Sequence, residues 1–173
     1  MPKPSSFASV ALPHLNAAYN LAHWLLRDAT EAEDAVQDAL LRALKYFSSF
    51  SGGDGRAWLL QIVRNAAYDR LAAKHGKHLA IPLDDGEDPP ADFLRDPGDD
   101  PEAALMRKQD RGQLDALLAS LPVELREAVV LCDLEELSYR DIAQITGTPI
   151  GTVMSRLWRG RRALRRAAQA GEP

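Results

Sequence analysis

Five prolines, two glycines and nine carboxylates fall between Pro82 and Glu102 of this 173-residue chain, a composition that builds neither a helix nor a strand. Each proline fixes φ and removes a backbone donor. The carboxylates (Asp84, Asp85, Glu87, Asp88, Asp92, Asp96, Asp99, Asp100 and Glu102) face one cation, Arg95, and repel one another. The segment is therefore expected as an acidic, Pro-rich flexible linker over 79–103, between a domain at 1–78 and a second at 104–173. Its charge also explains a misleading average. The chain carries −4 overall, the linker alone −8, and the remainder is net positive. At the far end, Gly151 to Gln169 holds six arginines and no acid.

Neither domain shows sustained two-residue alternation of β-branched residues, so the expected fold class is all-α, two small helical domains. In the first, a helix is predicted over about Leu12–Leu26, with Leu15, Ala18, Tyr19, Ala22, Leu25 and Leu26 as its apolar stripe. Thr30 is expected to cap a second helix, with Glu33 completing a capping box. Its apolar face would be Val36, Leu40, Ala43, Leu44 and Phe47, opposite Asp34, Gln37, Asp38 and Arg42. Ser48–Gly55 reads as a loop. A third helix is predicted from about Arg56 to Ala73, burying Trp58, Leu59, Ile62, Val63, Ala66 and Ala67. Beyond the linker, a helix from about Glu102 carries Leu105, Leu114, Leu117 and Leu118, and another starts at Pro122.

The most specific stretch is Ser138–Arg159. Ser138 caps a helix whose Ile142 and Ile145 face inward; Ala143 is small at a close crossing, and Gly147 supplies the left-handed residue that ends the helix. Thr148 and Pro149 then open a second helix, which Val153 and Leu157 hold to the first. This spacing is that of a helix-turn-helix. Ser155, Arg156, Arg159, Arg161, Arg162, Arg165 and Arg166 read as outward residues, and cations unopposed by acids suit phosphate. Residues early in a recognition helix meet base edges, which makes Thr152, Met154, Ser155, Trp158 and Arg159 the base-edge candidates. Arg156, Arg162 and Arg140 are the phosphate candidates. Trp158 is equally readable as packed core.

No catalytic constellation, phosphate loop or cofactor motif is present in the sequence, and no metal site or cofactor is expected. His75 and His78 lack the partners of a zinc set. Cys132 sits in an apolar run and reads as buried core. No apolar run reaches the roughly 18–20 residues of a membrane span, and Met1–Leu12 has no signal-peptide pattern. No membrane insertion is expected, and with one cysteine a cytoplasmic setting is the simplest.

The two halves together resemble the extracytoplasmic-function sigma factors of the sigma-70 family. TEAEDAVQDALLRAL followed by AWLLQIVRNAAYDRL is similar to the family's region 2. LPVELREAVVLCDLEELSYRDIAQITGTPIGTVMSRLWRGRRAL is similar to its region 4. The resemblance implies a protein that binds core RNA polymerase and directs it to the −10 and −35 promoter elements, under the control of an anti-sigma factor. It implies docking of Asp34, Gln37, Asp38 and Leu41 on the polymerase β′ clamp helices. At the −10 element it implies Arg64, Asn65 and Asp69. The loop 48–55 would capture a flipped base, with Phe50 either a stacking surface or packed beneath the loop. Lys74, with His75, Lys77 and His78, extends a basic stretch suited to phosphates. The linker would thread toward the polymerase cleft, as an RNA mimic or as a plain spacer. Met154 stands where the family often has lysine or arginine, a departure that bears on which promoter is read. Two other readings remain open: a helix-turn-helix regulator whose first domain dimerises or senses a signal, and a module whose arginines bind an acidic protein.

Overall fold

The computed structural model describes residues 6–75 and 111–170, in two compact units, and every regular element among them is helical. The linker, Leu105, Lys77 and His78 lie outside the described residues.

The first unit contains α1 (Phe7–Ala11), α2 (Leu15–Leu26), α3 (Ala29–Lys45) and α4 (Gly55–His75). The predicted first helix begins instead with a separate 3-10 turn, Leu12–His14, where Pro13 falls at a helix start. Two residues join α2 to α3: Arg27, left-handed at φ 61°, and Asp28, whose carboxylate accepts from the Glu31 N–H at 2.9 Å. Asp28, not Thr30, is thus the cap, two residues earlier than expected. The packing face of α3 also differs from expectation. Ala32, Ala35, Ala39 and Ala43 are fully buried, while Leu44 is exposed. Small side chains let α3 lie close against α2 and α4, and the larger Val36 and Leu40 stay half-buried at the edges of that contact. α4 supplies Leu59, Leu60, Val63, Ala66, Ala67 and Leu71 to the same core.

In the second unit, α5 (Arg111–Ala119) and α6 (Val123–Val129) pack on α8 (Ile150–Ala170), and α7 (Tyr139–Thr146) precedes α8. α6 runs straight into a π-helical turn, Val130–Leu134, in which Glu135 N–H reaches the Val130 carbonyl at 3.0 Å. Nothing in the sequence pattern announced that turn. α6 and α8 meet at Gly160, where an added Cβ would stand 2.8 Å from Val129 Cγ2 and 3.3 Å from the Leu125 carbonyl oxygen. That glycine sets the depth of the crossing.

Candidate nucleic-acid interface

α7 and α8 form the expected helix-turn-helix. Ser138 Oγ accepts from the Asp141 N–H at 3.1 Å, and Gly147 ends α7 at φ 66° with its N–H on the Ala143 carbonyl. The Thr148 N–H reaches the same carbonyl at 3.2 Å. α8 starts one residue later than anticipated, at Ile150, with Thr152 and Val153 both donating to the Pro149 carbonyl. Ile142, Ile145, Val153 and Leu157 are buried, which fixes the two helices against their own core.

Helical geometry then settles the outward face of α8. Thr152, Ser155, Arg159, Arg162 and Arg166 follow one another at intervals of three or four residues, on the side away from Val153, Leu157, Gly160 and Leu164. Ser155 Oγ returns its proton to the Gly151 carbonyl at 2.9 Å. Arg140 is exposed near the start of α7. Met154 and Trp158 are half-buried, and the Arg162 guanidinium lies 5.1 Å from the centre of the Trp158 ring. Trp158 therefore belongs to the rim of the outward face more than to the core.

Two arginines depart from the outward reading. Arg161 is 3% exposed, with Nε 3.0 Å and Nη2 2.6 Å from the two carboxylate oxygens of Asp133 and Nη2 3.6 Å from Cys132 Sγ. It lies four residues past Leu157 on the buried stripe, so the apolar period placed it inside and its charge disguised it. The π-turn brings Asp133 and Cys132 to meet it, and Cys132 is itself buried. Arg156 is also tied inward: its Nη2 stands 2.8 Å from Glu124 of α6, with both side chains 19% exposed. A phosphate contact there would require that pair to open.

In the first unit, the residues expected at the −10 element divide. Arg64, Asn65 and Asp69 lie on neighbouring faces of α4; the Arg64 guanidinium sits 4.0 Å from the Tyr68 ring centre. Asn65 is exposed, and Asp69 receives Arg42 Nη1 at 2.9 Å. Lys74 is exposed but falls on the opposite side of the helix from Asn65. Phe50 is 6% exposed, 4.8 Å from the Trp58 ring and 6.1 Å from Phe47, so of its two readings the packed one holds. Above that aromatic cluster, Gly52 and Gly53 take φ near 96–97°, and Asp54 caps α4 through the Arg56 N–H at 3.0 Å.

The face of α3 expected to meet polymerase presents Leu41, 67% exposed, beside exposed Gln37. Its acids are organised by a residue that sequence reasoning missed. Arg70 of α4 reaches Glu31 at 3.0 Å, Asp38 at 3.1 Å and Asp34 at 4.0 Å. The Glu31 hydrogen bond is the main cause of a guanidinium pKa raised above its ordinary value. The signal lay in α4's own register, which carries Arg70 to the α3 side together with its neighbour Asp69, the partner of Arg42.

The chain matches the profile of sigma-70 region 2 over residues 11–76 and that of sigma-70 region 4 over 111–164. It is 35% identical over 162 residues to the ECF RNA polymerase sigma factor SigE of Mycolicibacterium smegmatis, with 92% of this chain and 60% of that protein's length covered. It is 30% identical over 167 residues to the RNA polymerase sigma-H factor of Pseudomonas aeruginosa, covering 95% of this chain and 86% of the relative. Among solved structures, it is similar to the sigma factor RpoE of Bartonella quintana, determined in complex with the anti-sigma factor NepR, at a TM-score of 0.70 and 29% identity, over 96% and 98% of the two chains. With both sigma regions present in order, and relatives matched along nearly the whole chain, this protein belongs to the extracytoplasmic-function sigma factors of the sigma-70 family.

Proposed function

We propose that this chain recruits core RNA polymerase through α3 and reads promoter DNA with α4 at the −10 element and α8 at the −35 element. The observation that carries this reading is the outward face of α8. It is a helix-turn-helix second helix with Thr152, Ser155, Arg159, Arg162 and Arg166 in line and no acid between residues 150 and 170. Arg159 and Ser155, in the first turns, are the base-edge residues; Arg162, Arg166 and Arg140 take phosphates. Thr152, Met154 and Trp158 flank them and adjust which bases are accepted. Arg64 and Asn65 are the region-2 counterparts, with Asp69 beside them. Catalysis belongs to the polymerase.

The domain limits proposed are 1–78 and 104–173, with the acidic linker between. Control by an anti-sigma factor is part of the proposal, on the precedent of the Bartonella quintana sigma factor. The site of action proposed is the cytoplasm, where polymerase and chromosome are; no helix among the described residues is long and apolar enough to cross a membrane.

The polymerase half of the reading is tested by Leu41→Asp. An exposed apolar residue ringed by acids and an amide is the anchor of such a contact, and loss of an anchor costs about 2 kcal/mol or more. Affinity for core polymerase should fall about thirtyfold or more, while Leu12→Asp, at a similarly exposed leucine on another element, leaves it unchanged. Equal affinities for both variants would remove α3 from the interface.

A further inference from the structure

Glu124 of α6 and Arg156 of α8 form an ion pair to which the reading of DNA by α8 assigns no role. Arg156 Nη2 stands 2.8 Å from the Glu124 carboxylate, and each side chain is only 19% exposed. To meet a phosphate, the guanidinium would have to leave that carboxylate and strand an acid in a partly buried site. The stranded acid would then stand beside the incoming phosphate, like charge against like charge.

The pair sits where α8 is fastened to α6. Arg156 lies one turn before Gly160 on the same side of α8. At Gly160 an added Cβ would stand 3.3 Å from the carbonyl oxygen of Leu125, the residue after Glu124. Two neighbouring residues at the start of α6 thus hold two successive turns of α8, one by contact and one by charge. The contact sets how close the helices lie, and the ion pair sets how α8 is rotated and tilted about it. Asp133 holds Arg161 in a similar way, but beyond Gly160 from the reading turns. Arg156 is the nearer fastening: Ser155 precedes it directly, and Arg159 follows within one turn. Hydrogen bonds form only within a few tenths of an ångström of their preferred length, so a small rotation of α8 would forfeit them.

We propose that Arg156 is a positioning residue, not a phosphate contact: its ion pair with Glu124 fixes the angle at which α8 presents Ser155 and Arg159 to the −35 bases. The inference rests on the reading of α8 as the −35 helix. It adds Glu124, an acid outside the helix-turn-helix, to the residues that set promoter selectivity.

The experiment loads the full chain onto core RNA polymerase and measures affinity for two DNA fragments across a salt series. One is a promoter taken from a mapped transcript start; the other is the same fragment with its −35 element scrambled. The ratio of the two affinities is the discrimination that α8 supplies. Positioning predicts that Glu124→Gln and Arg156→Ala each lower this ratio about fivefold or more, the low end of what one base contact is worth. Combined, they lower it no further, because both break the same pair. The salt slope stays that of the unaltered chain throughout. A phosphate contact predicts the opposite sign for Glu124→Gln, which releases the guanidinium and tightens binding to both fragments. It also predicts that Arg156→Ala weakens both fragments alike and flattens the salt slope by about one. A pair that serves only the fold lowers the thermal midpoint of both variants and leaves the ratio, read well below that midpoint, unchanged. Either of these results overturns the inference and leaves the DNA reading standing. Equal affinity of the unaltered holoenzyme for the two fragments would overturn the reading of α8 itself.

Discussion

Arg161 and Asp133 form a fork-to-fork ion pair whose two side chains are each 1% exposed. Removing one partner of such a pair leaves the other charge in the interior without compensation, at a cost of about 3–5 kcal/mol. Arg161→Ala should therefore lower the denaturant midpoint of the second unit sharply, whereas Arg165→Ala, on the exposed side of the same helix, should shift it little. Equal small shifts would mean that the pair contributes nothing to the fold. The residue scale is also where the sequence is hardest to read. Arg159, Arg161 and Arg162 are identical in type and nearly adjacent, yet one is structural and two face outward. Only the apolar register of α8 separates them, and the partner Asp133 is supplied by a π-turn that leaves no periodic trace. Arg70 was hidden for the same reason: its three acids lie on another helix, 32 to 39 positions earlier in the chain. Phe50 was ambiguous because a loop residue's burial depends on what lies beneath it, here Phe47 and Trp58.

At the scale of elements, the sequence was more transparent where local chemistry dictates the outcome. Ser138, Gly147 and Pro149 mark the ends of α7 and the start of α8 because capping and left-handed backbone are decided within a few residues. It was less so on α3, where of the expected face of Val36, Leu40, Ala43, Leu44 and Phe47 only Ala43 is fully buried, in a stripe otherwise made of Ala32, Ala35 and Ala39. Helix-to-helix distance is a tertiary quantity, and close packing favours the smaller side chains whatever the hydropathy. Gly160 is the equivalent at the α6–α8 crossing. Gly160→Ala places a methyl group 2.8 Å from Val129 Cγ2 and 3.3 Å from a backbone oxygen, and should destabilise the protein by about 1–3 kcal/mol. Gly151→Ala, with nothing within 4 Å of its added Cβ, should be neutral or stabilising by up to about 1 kcal/mol in thermal unfolding. A reversal of that order would mean that α6 does not lie against α8 at this depth.

For the whole molecule, the division into two helical units was legible from proline and charge alone, and so was the concentration of positive charge on the last helix. The sigma-type architecture follows from the order of the two regions along the chain, which no single helix reveals. On the proposed reading it separates two jobs: the acidic and apolar face of α3 would meet a protein partner, and the arginine face of α8 would meet DNA. A regulator acting alone needs only the second. The central claim is that the two operate together on polymerase, and transcription measures this most directly. Purified protein is mixed with core RNA polymerase and a fragmented genomic template, and the transcript starts are sequenced. The account predicts new starts downstream of a shared pair of elements, reduced about tenfold or more by Arg159→Ala, a loss matching one base contact. No new starts and no binding to polymerase would contradict it, and would leave a helix-turn-helix protein that acts on DNA without the enzyme.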